Sequence, residues 1–377
     1  MNLIFFLGIV SLFGDITYEG ARSIIGQYLF VLGSSSLFVG FIAGFGEFIG
    51  YFLRILFGYL ADKTKNYWLF MIIGYSLSVL SVPILAFTNN YIIAGILTLL
   101  ERFGKAIRTP SRDTIISFIG SKYGYGISFG IHEFIDQIGA LSGPLIVFLI
   151  LSLSKNNYKL SFLILIIPAI LCLIFLFWTK IKFSNISEVE IRRESYESYK
   201  INKKFWIYTI AIGLVSFGFI DFALISYHYK RINLFEPNII VILYSIAMIT
   251  DAITSIILGK LFDKFGIKVI IISVILTAFS SPLLFLFNEK ILKFLAIILW
   301  GIGIGSQESI MRAYISNIIK KEERATAFGI FNSIYGFSWF VGSLIIGYLY
   351  SISLIYMVIL SFSFQILGLL ILVKFML

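Results

Sequence analysis

Gly58-Tyr59-Leu60-Ala61-Asp62-Lys63-Thr64-Lys65 closes one long apolar run just before another begins. The pattern returns as Gly259-Lys260-Leu261-Phe262-Asp263-Lys264-Phe265-Gly266-Ile267-Lys268, its aspartate 201 positions after the first. A glycine lets a helix end approach its neighbour, an aspartate there caps or accepts charge, and lysines follow at the water boundary. One polar turn of this kind is commonplace. Two copies in matching places indicate a duplicated membrane fold.

Composition agrees. Of 377 residues 59% are hydrophobic and 13% charged, with a mean hydropathy of +0.96. A soluble chain would carry about twice that charged fraction. Apolar runs of twenty or more residues match the length a helix needs to cross a bilayer, and a barrel would alternate instead. An all-α integral membrane protein is expected. The net charge of +10 lies in short loops on one side, which fits positive-inside topology better than nucleic-acid binding. Cys172 stands alone in an apolar run, and His132 and His228 lie in different halves. Neither a disulfide framework nor a cysteine or histidine metal centre is expected.

Apolar segments fall near 3–31, 36–60, 67–88, 91–113, 124–152, 158–179, 204–229, 237–261, 267–287, 290–318, 324–350 and 353–375. These are about twelve spans. The polar stretch between the sixth and seventh divides the chain into a six-helix bundle over 1–183, a cytoplasmic linker over 184–203 and a second six-helix bundle over 204–377. Even-numbered connections are the richer in Lys and Arg, which places both termini in the cytoplasm of a cell-membrane protein. The halves match elsewhere too. Phe129-Gly130-Ile131 answers Phe328-Gly329-Ile330, Gly143-Pro144-Leu145-Ile146 answers Gly342-Ser343-Leu344-Ile345, Arg112 answers Arg312, and Asp15 roughly answers Asp221. A constant offset of about 200 is the mark of one unit used twice.

On these residues the chain resembles the major facilitator superfamily along its whole length. Gly58 to Lys63 matches that superfamily's loop signature between its second and third helices, and Gly259 to Lys264 a weaker second copy. Gly139-Ala140-Leu141-Ser142-Gly143-Pro144 is similar to the glycine-proline signature of antiporters, with Leu145 and Ile146 in place of its trailing glycines. Arg102 lies where the fourth helix of proton-coupled exporters often holds an arginine, with Ala106 in place of the usual glycine four positions on. Arg108-Thr109-Pro110-Ser111-Arg112-Asp113 resembles a prokaryotic branch whose members mostly lack an assigned substrate. The resemblance implies two pseudo-symmetric bundles rocking about a central site, with helices one, four, seven and ten around it and the fifth close by.

Ionisable groups inside hydrocarbon are costly unless paired or wet, so each is a functional candidate. At about 1.5 Å per residue, Asp15 lies roughly 18 Å into the first span, Glu101 roughly 15 Å into the fourth and Asp136 roughly 18 Å into the fifth. Each depth is near the middle of the bilayer. Asp15, Glu19 and Arg22 share one face of the first span. Glu101, Lys105, Arg108 and Arg112 share one face of the fourth. His132 and Asp136 are one turn apart on the fifth, beside Glu133 and Gln137. With Arg102 these groups either line a transport path and couple an ion, or satisfy one another within the fold. Aromatic stripes are read as lipid contact or core. Asp62, Lys63 and Arg112, with Asp263, Lys264 and Arg312, are assigned to a cytoplasmic gate.

No phosphate loop, nucleophile–base arrangement or metal-loop spacing occurs, so neither an enzyme nor a cofactor is expected. The expected function is secondary active transport of a small molecule by alternating access, as proton-coupled efflux. Two alternatives stay open: proton-coupled uptake of a small organic anion or zwitterion, and a non-transporting membrane sensor or partner of the same fold. The expected partners are a small-molecule substrate, protons or another coupling ion, and the lipid bilayer, with no nucleic acid. A monomer is expected.

Overall fold

The structure, a computed structural model, describes residues 2–123, 125–183, 202–319 and 324–376, and these are helical with no strand among them. Most of the linker foreseen over 184–203 lies outside the described residues. In the first half the helices are α1 (Asn2–Val31), α2 (Ser36–Thr64), α3 (Tyr67–Ile84), α4 (Tyr91–Tyr123), α5 (Tyr125–Leu153), α6 (Tyr158–Ile164) and α7 (Ile166–Lys182). In the second they are α8 (Lys203–Gly218), α9 (Phe222–Arg231), α10 (Pro237–Phe265), α11 (Ile267–Ala278), α12 (Ser280–Phe285), α13 (Lys290–Glu308), α14 (Ile310–Ile318), α15 (Arg324–Ile352) and α16 (Leu354–Met376).

Among the described residues, eleven stretches are long and apolar enough to cross a membrane. The remaining long helix is α4, whose 33 residues carry Glu101, Arg102, Lys105, Arg108, Arg112 and Asp113. The chain is a multi-pass membrane protein of about twelve spans.

Asparagines open several helices. Asn66, Asn157 and Asn202 accept from the backbone N–H groups of Leu69, Leu160 and Phe205 at 3.2, 3.1 and 2.8 Å, meeting donors that the first turn leaves unused. The repeat seen in the sequence is also written in the backbone. Lys65 and Gly266 both have positive φ (56° and 59°), as do Gly33 and Asn233 (81° and 50°), so the two halves turn at corresponding places.

Four spans that read as continuous in the sequence are each built from two helices, broken at Leu165, at Phe219–Asp221, at Phe279 and at Ser309. The second break is the longest, and two of the carbonyls it frees find side-chain donors. Gly218 O accepts from Ser361 Oγ at 2.6 Å and Gln365 Nε2 at 3.1 Å, and Ile220 O accepts from the Trp300 indole at 2.7 Å. Irregular backbone survives at membrane depth only where protein supplies such partners. Asp221 caps α9 through the Ala223 N–H at 2.8 Å.

The chain divides into two compact units, Met1–Leu32 with Ile49–Tyr196, and Gly33–Phe48 with Glu197–Leu377. In the second, the first turns of α2 lie against α15. Ser36 Oγ donates to Gly347 O at 2.9 Å, and Phe41, Phe45 and Phe48 all face the ring of Phe340.

Candidate functional site

Small residues set the site in the first unit by letting backbones touch. A side chain on Gly139 of α5 would put its Cβ 3.0 Å from the Cβ of Asp15 on α1, and one on Gly143 would lie 2.8 Å from Gly20 N. The glycines of the antiporter-like stretch are thus the contact face of α5 on α1. Pro144 follows them inside the helix. On the other side, Gly74 of α3 and Gly104 of α4 interlock. A Cβ on Gly74 would lie 2.6 Å from Arg108 N, and one on Gly104 would meet Ser78 N at 2.5 Å. Close approach of this kind is how membrane helices associate without a hydrophobic drive.

Those contacts carry a charged cluster inward. Asp15 (4% exposed) and Asp136 stand within hydrogen-bonding reach of one another. Lys105 and Arg108 lie within electrostatic range of Asp15, and Arg112 of Asp136. Arg108 is 1% exposed. Its guanidinium lies over Tyr75 at 4.2 Å and near Tyr18 at 5.5 Å, and the Lys105 ammonium sits 4.4 Å over Tyr18. Aromatic faces stabilise cations by about 0.5–2 kcal/mol each when water is excluded. Tyr75 Oη and Ser11 Oγ are 3.2 Å apart, and Ser11 Oγ accepts from Arg112 Nη1 at 3.1 Å. Nε and Nη1 of Arg108 and Oδ1 of each aspartate have no hydrogen-bond partner. Buried charges are rarely left so incompletely bonded.

The structure therefore brings together Asp15, Lys105, Arg108, Arg112, His132 and Asp136. The other expected residues make local pairs. Arg22 meets Glu19 at 3.7 Å, and Arg102 meets Glu101 at 3.3 Å. Glu19 and Glu101 also lie within electrostatic range of Lys105. Glu133 is exposed and accepts from Gln137 Nε2 at 3.2 Å, on a different face of α5 from buried His132. His132, Glu133 and Asp136 offer ligand atoms within 4.8 Å of one another. Arg112 is close enough to His132 and to Asp136 to oppose a bound cation, so electrostatics count against a metal there.

At the opening loop, Asp62 accepts from Tyr67 Oη at 3.3 Å, and a Cβ on Gly58 would meet Pro110 of α4 at 3.5 Å. Arg112 is held by its neighbour Asp113, through Nε and Nη2 at 3.0 Å each, as well as by Ser11. In the second copy Lys63's counterpart Lys264 is exposed and lies 5.2 Å from the Phe265 ring, Asp263 is exposed, and Arg312 is half-buried.

The family model described as Major Facilitator Superfamily matches residues 4–235 and 234–377. The chain belongs to the major facilitator superfamily. Among superfamily relatives, an uncharacterized MFS-type transporter of Methanocaldococcus jannaschii is 30% identical over 357 residues, covering 93% of this chain and 89% of that protein. An uncharacterized protein of Mycobacterium tuberculosis (strain H37Rv) is 32% identical over 376 residues, covering 96% and 90%. The superfamily fold is seen again in a variant of the nucleoside transporter NupG, with a TM-score of 0.79 at 17% identity over 99% of this chain and all of that one. A bacterial homolog of the human lysosomal transporter Spinster gives 0.70 at 13% identity, over 99% and 94%.

Sequence reading missed Ser11, Tyr18 and Tyr75. Ser11 and Tyr18 lie on the Asp15 face of α1, four residues before and three after it, and that spacing was the available signal. Tyr75 had none, since its role depends on the α3–α4 crossing.

Proposed function

We propose that this superfamily member is a secondary active transporter that exports a small molecule in exchange for protons, by alternating access. The observation that carries the reading is the pairing of Asp15 on α1 with Asp136 on α5. Two carboxyls in contact titrate as one unit and can hold a single proton between them. With three cations beside them, gain or loss of that proton changes the balance of a cluster spanning α1, α4 and α5. A transporter needs such an element so that ion and cargo occupancy each bias the same equilibrium. The antiporter-like stretch supports export. The Lys and Arg bias supports cytoplasmic termini, with the last turns of α2 and α10 at Asp62 and Asp263 on that side as part of the gate.

Uptake of a small organic anion or zwitterion is the second reading. It is favoured by the unused Nε and Nη1 donors of Arg108, each able to give a charge-assisted hydrogen bond to a carboxylate oxygen.

Purified protein in proteoliposomes with a trapped pH dye tests both readings. Cargo-dependent proton movement opposite to cargo movement is expected, and its loss in Asp136→Asn. Cargo flux indifferent to a pH gradient would overturn proton coupling. Proton and cargo moving inward together would establish uptake.

A further inference from the structure

The second unit holds a different kind of site. Phe219, in the break between α8 and α9, stacks on Trp300 of α13 with centroids 5.5 Å apart, and meets Trp339 of α15 edge-on at 5.2 Å. Tyr335, one turn before Trp339, lies 5.7 Å from it and stacks with Phe331 at 5.8 Å. All five rings are at most 5% exposed. Gln307, near the end of α13 and 6% exposed, accepts from the Tyr335 hydroxyl through Oε1.

Two donors in this aromatic group are unused. Gln307 Nε2 and the Trp339 indole N–H are buried without an acceptor. They flank Tyr335, one bonded to its hydroxyl through the same amide and the other packed against its ring. The Trp300 indole, by contrast, is occupied by Ile220 O. A buried donor with no partner costs about 1–3 kcal/mol and calls for an explanation. Both sit beside places where a span can yield, the Phe219–Asp221 break and the α13–α14 break at Ser309, two residues past Gln307.

We propose that this aromatic group is the cargo-recognition site of the second unit, and that it takes an uncharged planar aromatic ring bearing hydrogen-bond acceptors. The rings pack on one another here, and where the neighbouring breaks let the spans part, a ligand ring takes the place of one such contact. The two free donors demand an acceptor from the ligand, such as a ring carbonyl. None of the five aromatic residues or Gln307 carries a charge, so this end of the cargo carries none. The proposal rests on the transport reading for its purpose, while its test needs neither a gradient nor flux.

The full chain, labelled with ¹⁵N in its tryptophan indoles and held in nanodiscs, is titrated with chromone or coumarin, planar molecules bearing only acceptors. Naphthalene and cyclohexyl methyl ketone serve as the ring without an acceptor and the acceptor without a ring. The expected result is a saturable downfield shift of one indole resonance, assigned to Trp339 by its absence in Trp339→Phe, with exposed Trp178 and Trp206 unmoved. Binding should weaken at least tenfold for both control molecules and in Trp339→Phe, which removes a free donor and keeps a ring, and likewise in Gln307→Leu, which removes the free Nε2 donor together with the acceptor of the Tyr335 hydroxyl. An unmoved Trp339 resonance with chromone and coumarin, or equal binding of naphthalene, would overturn the proposal. Chromone binding that persists in a variant without proton coupling leaves this site standing whatever becomes of the export reading.

Discussion

Gly139 on α5 leaves no room for a side chain against Asp15 on α1: a Cβ there would lie 3.0 Å from the Asp15 Cβ, with the Leu12 backbone closer still. Gly139→Val is therefore expected to push α5 off α1, at about 1–3 kcal/mol for an overpacked contact. Thermal unfolding in detergent should show a melting temperature lower by several degrees, and gradient-driven flux should fall more than tenfold. Gly130→Ala, on the same helix with nothing within 4 Å of its Cβ, should be neutral in both.

Asp136 and Glu133 are predicted to separate in function. Asp136→Asn and Asp15→Asn should each abolish gradient-driven accumulation while cargo exchange without a gradient persists. Glu133→Gln, which changes an exposed group bonded to Gln137, should keep at least half of the wild-type rate. Equal losses in all three variants would point to a general structural role for the acids.

Much of this site was legible in the sequence, and the reason is periodicity. Asp15, Lys105, Arg108 and Asp136 announce themselves as charges at mid-span, and the 3.6-residue step puts Lys105, Arg108 and Arg112 on one face. Partners across helices were not legible. Arg112 reads as a partner of Asp62, whereas Asp113 and Ser11 hold its guanidinium, and Tyr75 looks like any apolar-run aromatic. The breaks at Phe219–Asp221 and Ser309 were hidden because apolar residues run straight through them. What permits the first is the distant pairing of Ile220 O with Trp300 and of Gly218 O with Ser361 and Gln365.

Arg108 should resist even conservative change. Arg108→Lys keeps the charge but loses the flat guanidinium that lies over Tyr75. Weaker cargo binding by about tenfold is expected by equilibrium binding, with a small change in melting temperature. Arg108→Ala removes one of the three cations beside the acids and the ring contacts of a fully buried side chain, and should cost about 3–5 kcal/mol, seen as poor recovery of folded protein.

Arg112 offers a test of the loop. Because Asp113 and Ser11 hold its guanidinium, Asp113→Asn should reproduce much of the transport defect of Arg112→Gln. Exchanging Asp62 with Arg112 should restore little, since contact between the two elements runs through Gly58 and Pro110. Recovery of flux above half of wild type in the exchanged protein would show instead that Asp62 and Arg112 pair directly during the cycle.

The break in the seventh span predicts a stability effect far in sequence from its cause. The double change Ser361→Ala with Gln365→Leu strips both donors from Gly218 O, a loss of about 1–3 kcal/mol for a bare buried carbonyl. A melting temperature several degrees lower is expected, and an unchanged one would mean that the carbonyl finds another donor.

The fourth helix also bears on how the protein is made. A charged residue at the centre of a single helix costs about 2.5–3.5 kcal/mol to insert, and α4 carries Glu101, Arg102, Lys105 and Arg108 through its middle. It cannot leave the translocon for lipid on its own merits. Its shelter is already synthesised when it emerges: Gly74 and Tyr75 on α3, and Tyr18 and Asp15 on α1, all precede it in the chain. Asp136, on α5, comes later. The order of synthesis thus gives the arginine its ring faces and one counter-charge before the helix must part from water, and the α3–α4 hairpin, rather than α4, is the unit the membrane receives.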